Sequence, residues 1–295
     1  MIIDVQAHLL RPCRAHPGVP GGASAEMLLG AMDAAGVHKA IITSYEGKDI
    51  LPDLKGDASA LGDTCVEDYY AAHCAYPERL IWFIDSIDPA DNNYLSTVER
   101  DLDRGAQGIG EWFPAFVGTL PNDPRYERLY DLCRERQLPM IIAFEHWRPG
   151  WDTCTCVEDY ATFLETFAEV AESYPDVKFL VTHWGCCCWG GADPPFPLLP
   201  TFIGLMKRYD NLLTDIAAHQ FLFRPPTSSA LLEQLVEHLG ADRVLYATDW
   251  PWGDPSPKAM AANVAFVKNA PFLDEDQKAR ILGLNACRFL GLQED

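Results

Sequence analysis

The chain has 295 residues, 48% of them hydrophobic, and a formal net charge of −20. Such an apolar fraction supports a large core and excludes a disordered chain. The acidity excludes nucleic acid and anionic membrane surfaces as partners, because both call for basic patches. No apolar run approaches the roughly 18 residues that a membrane span needs.

The N-terminus enters Ile2-Ile3-Asp4 directly, without the basic start and long apolar region of a signal peptide. A cytoplasmic protein is therefore expected, with its ten cysteines as reduced thiols. Cys133 and Cys287 fall inside helical patterns and read as core residues. Cys154-Thr-Cys156 and Cys186-Cys187-Cys188 lack the paired spacing of a structural zinc site.

The first strand covers Ile2–Val5 and leads to Gln6-Ala7-His8. After a Pro/Gly-rich loop, Ser24 caps a helix through Ala35, and Gly36 stops it. Ala40–Thr43 is the second strand, followed by a helix around Thr64–Ala75. The third strand, Leu80–Ile87, precedes a helix over Ala90–Arg104. The fourth, Ala106–Gly110, ends in Glu111-Trp112 and precedes a helix over Pro124–Arg136. The fifth, Met140–Phe144, ends in Glu145-His146, and the helix Val157–Ser173 follows. The sixth, Lys178–Thr182, ends in His183 before a helix near Pro200–Tyr209. Asn211–Asp215 is the seventh, with Ser228–Leu239 as its helix. The eighth, Val244–Thr248, ends in Asp249, and Pro251 stops it for want of an N–H. The last helix opens at Asp274 with a capping box to Gln277 and runs to Leu290.

Alternating β and α units imply a parallel sheet. Eight of them without a composition break predict one (β/α)8 TIM barrel, α/β in class, over residues 1–295. An open doubly wound sheet would carry a Gly-rich phosphate loop after its first strand, and Gln6-Ala7-His8 is not one.

In a barrel the strand ends share one face, where active sites form. There Gln6, His8, Glu111, Glu145, His146, His183 and Asp249 converge. Imidazoles with carboxylates suit a divalent metal and also general acid–base work. A buried strand-end carboxylate such as Asp249 needs a metal, a proton or a cation as partner. Of eight tryptophans only Trp82 falls inside a predicted strand. Trp112, Trp147, Trp151, Trp184, Trp189, Trp250 and Trp252 fall in or beside loops, and predict an aromatic pocket for a planar small molecule. Arg148 and Arg224 would hold a substrate carboxylate, and His219 follows the seventh strand.

Six stretches spread along the chain are Ile3-Asp4-Val5-Gln6-Ala7-His8, Met32-Asp33-Ala34-Ala35-Gly36-Val37, Tyr76-Pro77-Glu78-Arg79-Leu80, Val181-Thr182-His183-Trp184-Gly185, Ala247-Thr248-Asp249-Trp250-Pro251 and Ile281-Leu282-Gly283-Leu284-Asn285-Ala286. Jointly they resemble the amidohydrolase-related proteins of the aminocarboxymuconate-semialdehyde decarboxylase type, within the metal-dependent amidohydrolase superfamily. The resemblance implies the same barrel. It implies that His8 is a metal ligand, that His183 is a ligand or a substrate-polarising histidine, and that Asp249 binds metal and moves the proton. Two positions depart from the family pattern. Gln6 stands where a histidine or glutamate is usual, and Ala143 stands where the fifth strand usually has a histidine. Glu145 or His146 would then substitute through a shifted strand end. Some lactonases of the superfamily work without metal, so a metal-free site stays open.

The resulting expectation is a hydrolase of a small cyclic or aromatic, carboxylated lactone or amide. Asp249 handles the proton, His183 polarises the substrate, and a divalent ion, zinc before others, sits on His8 and Asp249 with Gln6, His183, Glu145 or His146. Glu111, Trp112, Trp147, Arg148, Trp184, His219, Arg224 and Trp250 would line the substrate site. A metal-dependent non-oxidative decarboxylase is the alternative, and a catalytically degenerate binding barrel the second. The partner is a small molecule, and a homodimer is left open.

Overall fold

Eight strands are parallel and neighbour one another in chain order: β1 Ile3–Ala7, β2 Lys39–Thr43, β3 Leu80–Ile84, β4 Gly108–Trp112, β5 Met140–Ile142, β6 Phe179–Val181, β7 Leu212–Asp215 and β8 Val244–Leu245. The computed structural model describes residues 1–11, 22–43, 66–85, 87–114, 118–144, 157–185, 199–217, 226–252 and 254–293. Beyond β8 the chain turns back onto β1. Val5 N donates to Tyr246 O (3.1 Å), Asp249 N to Gln6 O (3.0 Å) and His8 N to Trp250 O (2.6 Å). These bonds bring the sheet round to a nearly closed barrel, as the eight β/α alternations predict.

Two apolar layers hold it. Ile3, Val5, Ile41, Ile81, Phe83, Ile141, Leu180 and Leu245 fill the barrel. A second layer, including Ala7, Ile42, Trp82, Ile109, Trp112 and Val181, packs the outer sheet face against the helices. Burial on both faces is why the strands read as continuous apolar runs rather than alternating ones.

The helices are α1 Ala25–Ala35, α2 Val66–Ala75, α3 Tyr94–Asp103, α4 Glu127–Arg136, α5 Val157–Ser173, α6 Leu199–Arg208, α7 Thr227–Leu239, α8 Pro257–Lys268, α9 Glu275–Ala279 and α10 Asn285–Leu290. Ser24 accepts from Met27 N as the expected cap of α1, and Gly36 closes it at φ 72°. Both bonds of the Asp274–Gln277 capping box form. A π-helical stretch, Arg280–Leu284, joins α9 to α10. Helix α10 closes the end opposite the candidate site. Asn285 Nδ2 donates to Ala241 O, just ahead of β8, and to Val244 O, at its first residue. Phe289 lies 6.4 Å from Phe83 between ring centroids.

Sequence reasoning missed α8. Its signals are present, with Ser256 accepting from Ala259 N as cap and Pro257 in the first turn. They sit directly after the proline-rich turn that ends the eighth strand. Among the described residues no helix is long and apolar enough to cross a membrane.

Candidate functional site

Two bulges aim the site residues. In β1 the pairing register slips between Asp4 and Ala7. Ile3 and Val5 belong to the barrel interior, whereas Ala7 belongs to the helix-facing layer. One extra residue has therefore inverted the alternation, and Gln6 and His8 turn to the mouth of the barrel. A second slip lies between Ile109 and Trp112 in β4. Gly110 carries it at φ 129°, and a Cβ there would meet Ile141 O at 2.4 Å. Glu111 is thereby turned to the same mouth.

Five of the seven converging residues meet there. His8 Nε2 lies 3.1 Å from Asp249 Oδ1 and 3.7 Å from Glu111 Oε2. His183 Nε2 lies 3.4 Å from Asp249 Oδ2, and its Nδ1 lies 3.7 Å from Glu111 Oε1. Gln6 Nε2 is 3.1 Å from His183 Nε2 and 3.5 Å from Asp249 Oδ1. All five are buried, Asp249 being 6% and His183 7% exposed. Glu145 and His146 lie outside the described residues, as do Trp147, Arg148, His219 and Arg224.

Hydrogen bonds fix the rings. A carbonyl can only accept, so the His8 Nδ1–H donates to Thr43 O at 3.1 Å, and Nε2 faces Asp249. Thr182 Oγ1 donates to Glu111 Oε1 at 3.0 Å and can then accept from His183 Nδ1 at 3.2 Å. In that tautomer His183 Nε2 accepts from the Gln6 amide. Protonated there as well, it becomes a donor towards Asp249.

Three site residues adopt left-handed backbone: His183 (φ 53°), Trp184 (φ 59°) and Asp249 (φ 59°). Such conformations are unfavourable for non-glycine residues and persist where the surroundings over-determine them. Here Asp215 Oδ1 accepts from His183 N at 2.8 Å and from Ala217 N at 3.0 Å. Trp184 Nε1 donates to Ala217 O at 2.9 Å. The resulting turn stands where sequence reasoning ends the sixth strand.

Burial alone would push the Asp249 carboxyl up, but hydrogen bonds and charge from His183 and His8 hold it below its ordinary value. Burial alone would lower His8, but its hydrogen bond to Asp249 and the charges of Asp249 and Glu111 raise it. The site thus favours a carboxylate beside an imidazolium when nothing else is bound.

Sequence reasoning singled out neither Asp4 nor Asp215. Asp4 Oδ2 accepts from Thr248 Oγ1 at 2.5 Å, and Oδ1 from Thr248 N at 3.0 Å and Gln6 N at 3.2 Å. Burial pushes both Asp4 and Asp215 up to about 7. The available signal was a carboxylate inside an apolar strand, which is costly to bury ionised.

The tryptophans divide. Trp112 lies inside β4 and packs edge-on to Tyr126 at 4.7 Å and Tyr130 at 6.0 Å in the helix-facing layer, where aromatic packing accounts for it. Trp184 and Trp250 are fully buried, and Trp250 Nε1 donates to Pro255 O at 3.0 Å. These indoles tie loops to strand ends. Trp252, left out of the expected substrate set, lies 6.1 Å from the His8 ring. Trp151 and Trp189 lie outside the described residues.

The donors suit a divalent ion chemically: two imidazoles, two carboxylates and the buried Gln6 Oε1, which has no hydrogen-bond partner among the described residues. His8 is also oriented through its far nitrogen, as metal-binding histidines are. Yet no group of three or more His, Cys, Asp or Glu among the described residues has the geometry to hold a metal. The cluster has the right atoms without being a ready-made cage.

The amidohydrolase family profile matches residues 3–292. The chain belongs to the amidohydrolase family. Among solved structures this amidohydrolase is similar to a probable 2-pyrone-4,6-dicarboxylic acid hydrolase of Acinetobacter baumannii, at 14% identity and TM-score 0.69 over 99% of each chain. It is similar to 5-carboxyvanillate decarboxylase of Sphingomonas paucimobilis, at 16% identity and TM-score 0.68 over 99% of each chain. It is also similar to an amidohydrolase of Burkholderia multivorans with bound zinc, at 11% identity and TM-score 0.68 over 99% of this chain and 100% of that one. At these identities the likeness is one of fold. Among curated proteins, N-methyl-L-tryptophan oxidase of Escherichia coli is 26% identical over 128 residues, 40% of this chain. That match spans only 31% of the oxidase's length.

Proposed function

We propose that this amidohydrolase hydrolyses a small, cyclic or aromatic, carboxylated lactone or amide, working in the cytoplasm. The observation that carries the reading is the placement of the buried Asp249 carboxylate between two imidazoles, His8 at 3.1 Å and His183 at 3.4 Å. Asp249 takes a proton as water oxygen bonds to the carbonyl carbon, then returns it to the leaving oxygen or nitrogen as that bond breaks. His183, protonated, donates to the carbonyl oxygen and stabilises the charge that develops there. His8, held by Thr43, keeps Asp249 ionised until the proton moves. A divalent ion held by His8, His183 and Asp249, with zinc the expected identity, would take the place of the Nε2 protons of the two imidazoles and supply in their stead Lewis acidity and a more acidic water.

The ligands named for the structural neighbours provide probes. The protein is incubated with 2-pyrone-4,6-dicarboxylate, 5-carboxyvanillate and a panel of aromatic lactones and amides in ¹⁸O-labelled water and, in parallel, in D₂O. Hydrolysis places one labelled oxygen in the product carboxylate and releases no CO₂. Release of CO₂ without oxygen incorporation, with solvent deuterium on the ring carbon, would replace the reading by decarboxylation. Binding without turnover across the panel would replace it by a binding barrel.

A further inference from the structure

Gln6 is the one member of the cluster whose side chain is neutral at every pH, and its orientation bears on what the cluster can hold. Its Nε2 lies 3.1 Å from His183 Nε2 and 3.5 Å from Asp249 Oδ1. A carboxamide nitrogen carries two donor hydrogens and has no lone pair to offer a cation. Its oxygen, the only atom of the group able to ligate, has no hydrogen-bond partner among the described residues. The amide thus presents hydrogen, and not oxygen, to an imidazole nitrogen and a carboxylate oxygen. Those two atoms are among the ones a divalent ion would need.

We propose that the Gln6 amide competes with a divalent cation for this site: its two N–H groups occupy lone pairs of His183 and Asp249, and a cation enters only when the amide lets them go. The inference rests on the cluster being able to hold a metal, which the reading above allows and does not require. It accounts for two observations together. Two imidazoles and two carboxylates lie within 3.1–3.7 Å of one another. Even so, they do not adopt metal-holding geometry. The amide serves as a neutral stand-in for the cation, and binding must undo both of its hydrogen bonds.

The consequence runs against the usual effect of deleting a polar side chain from a metal site. If Gln6 were a ligand, removing it would weaken binding. As a competitor, its removal strengthens binding. The chelator-treated protein is titrated with Co²⁺, followed by visible absorption and by calorimetry, for wild type, Gln6→Ala, Gln6→Leu and Gln6→Glu. Gln6→Ala and Gln6→Leu should each bind Co²⁺ roughly tenfold more tightly, the factor that about 1.4 kcal/mol represents. Gln6→Glu, which removes the N–H groups and adds a charged oxygen, should bind most tightly. Asp249→Asn in the Gln6→Ala background should abolish the gain and so locate the ion. Gln6→Leu adds no donor and preserves bulk, which keeps the test decisive if Gln6→Ala fails to fold. Equal or weaker Co²⁺ binding by Gln6→Ala and Gln6→Leu overturns the proposal, as does absence of Co²⁺ binding throughout. None of these measurements involves turnover, so a failure of the hydrolase reading leaves them intact, and the reverse holds too.

Discussion

At Asp249 burial and two imidazoles pull in opposite directions, and the imidazoles prevail. Sequence reasoning expected desolvation to be opposed by a metal; here His8 and His183 supply the opposing charge. An ionised Asp249 is ready to accept a proton, and its neighbours limit its basicity until they lose charge themselves. Asp249→Asn keeps the side-chain shape and removes the ability to shuttle a proton. It should lower kcat by about 10²-fold or more with a smaller change in KM, the usual scale for a positioned acid–base group. Steady-state kinetics on a substrate found by the labelled-water screen decides this. A loss confined to KM would make Asp249 a binding group only.

Elements show what sequence can and cannot convey. The β/α alternation was legible because both faces of each strand are buried, which leaves apolar runs such as Leu80-Ile-Trp-Phe-Ile84. Gln6, His8, Glu111, His183 and Asp249 were legible because a polar side chain at the end of such a run has few structural uses. The devices that bring them together were not. The slips in β1 and β4 are changes of phase by one residue, and no residue type announces them unambiguously. The left-handed turn runs from His183 through Trp184 to Gly185, and only its last position has a glycine for its positive φ, so the first two depend on partners distant in sequence, Asp215 and Ala217. Gly110, like Gly185, does leave a mark, because only glycine fits its φ of 129° against Ile141 O. Gly110→Ala should therefore destabilise the fold by about 1–3 kcal/mol, the range for overpacking a core. It should also lower kcat, since Glu111 follows directly. Urea unfolding would measure the first effect, and wild-type stability in this variant would show that the bulge tolerates a side chain.

Across the whole molecule the buried acids tie stability to pH. Asp4 links β1 to the segment after β8, and Asp215 links β7 to the His183 turn; burial pushes both up to about 7, from 3.8. A carboxyl with a raised folded pKa binds more protons folded than unfolded between those values. Its contribution is complete below about 3.8 and is lost as pH rises through about 7. His8, raised above its ordinary 6.5, adds a loss of the same sign at higher pH. Asp249 is lowered, so its own contribution fades only below 3.8. Unfolding free energy should therefore fall between pH 5 and pH 8. The net charge of −20 drives the same trend through self-repulsion, so wild type alone cannot separate the causes. Asp4→Asn does separate them. Its amide can donate to Thr248 Oγ1 as the protonated acid would, while its oxygen still accepts from Thr248 N and Gln6 N. The variant keeps nearly all the surface charge and lacks only the buried titration. Between pH 5 and pH 7 wild type should lose roughly 2 kcal/mol more than Asp4→Asn, at about 1.4 kcal/mol per pH unit for one group. Asp215→Asn should show a shift of the same sign. Parallel urea-derived stability curves for wild type and Asp4→Asn over that window would mean that Asp4 stays ionised in the folded barrel, and that the Thr248 and Gln6 donors outweigh its burial.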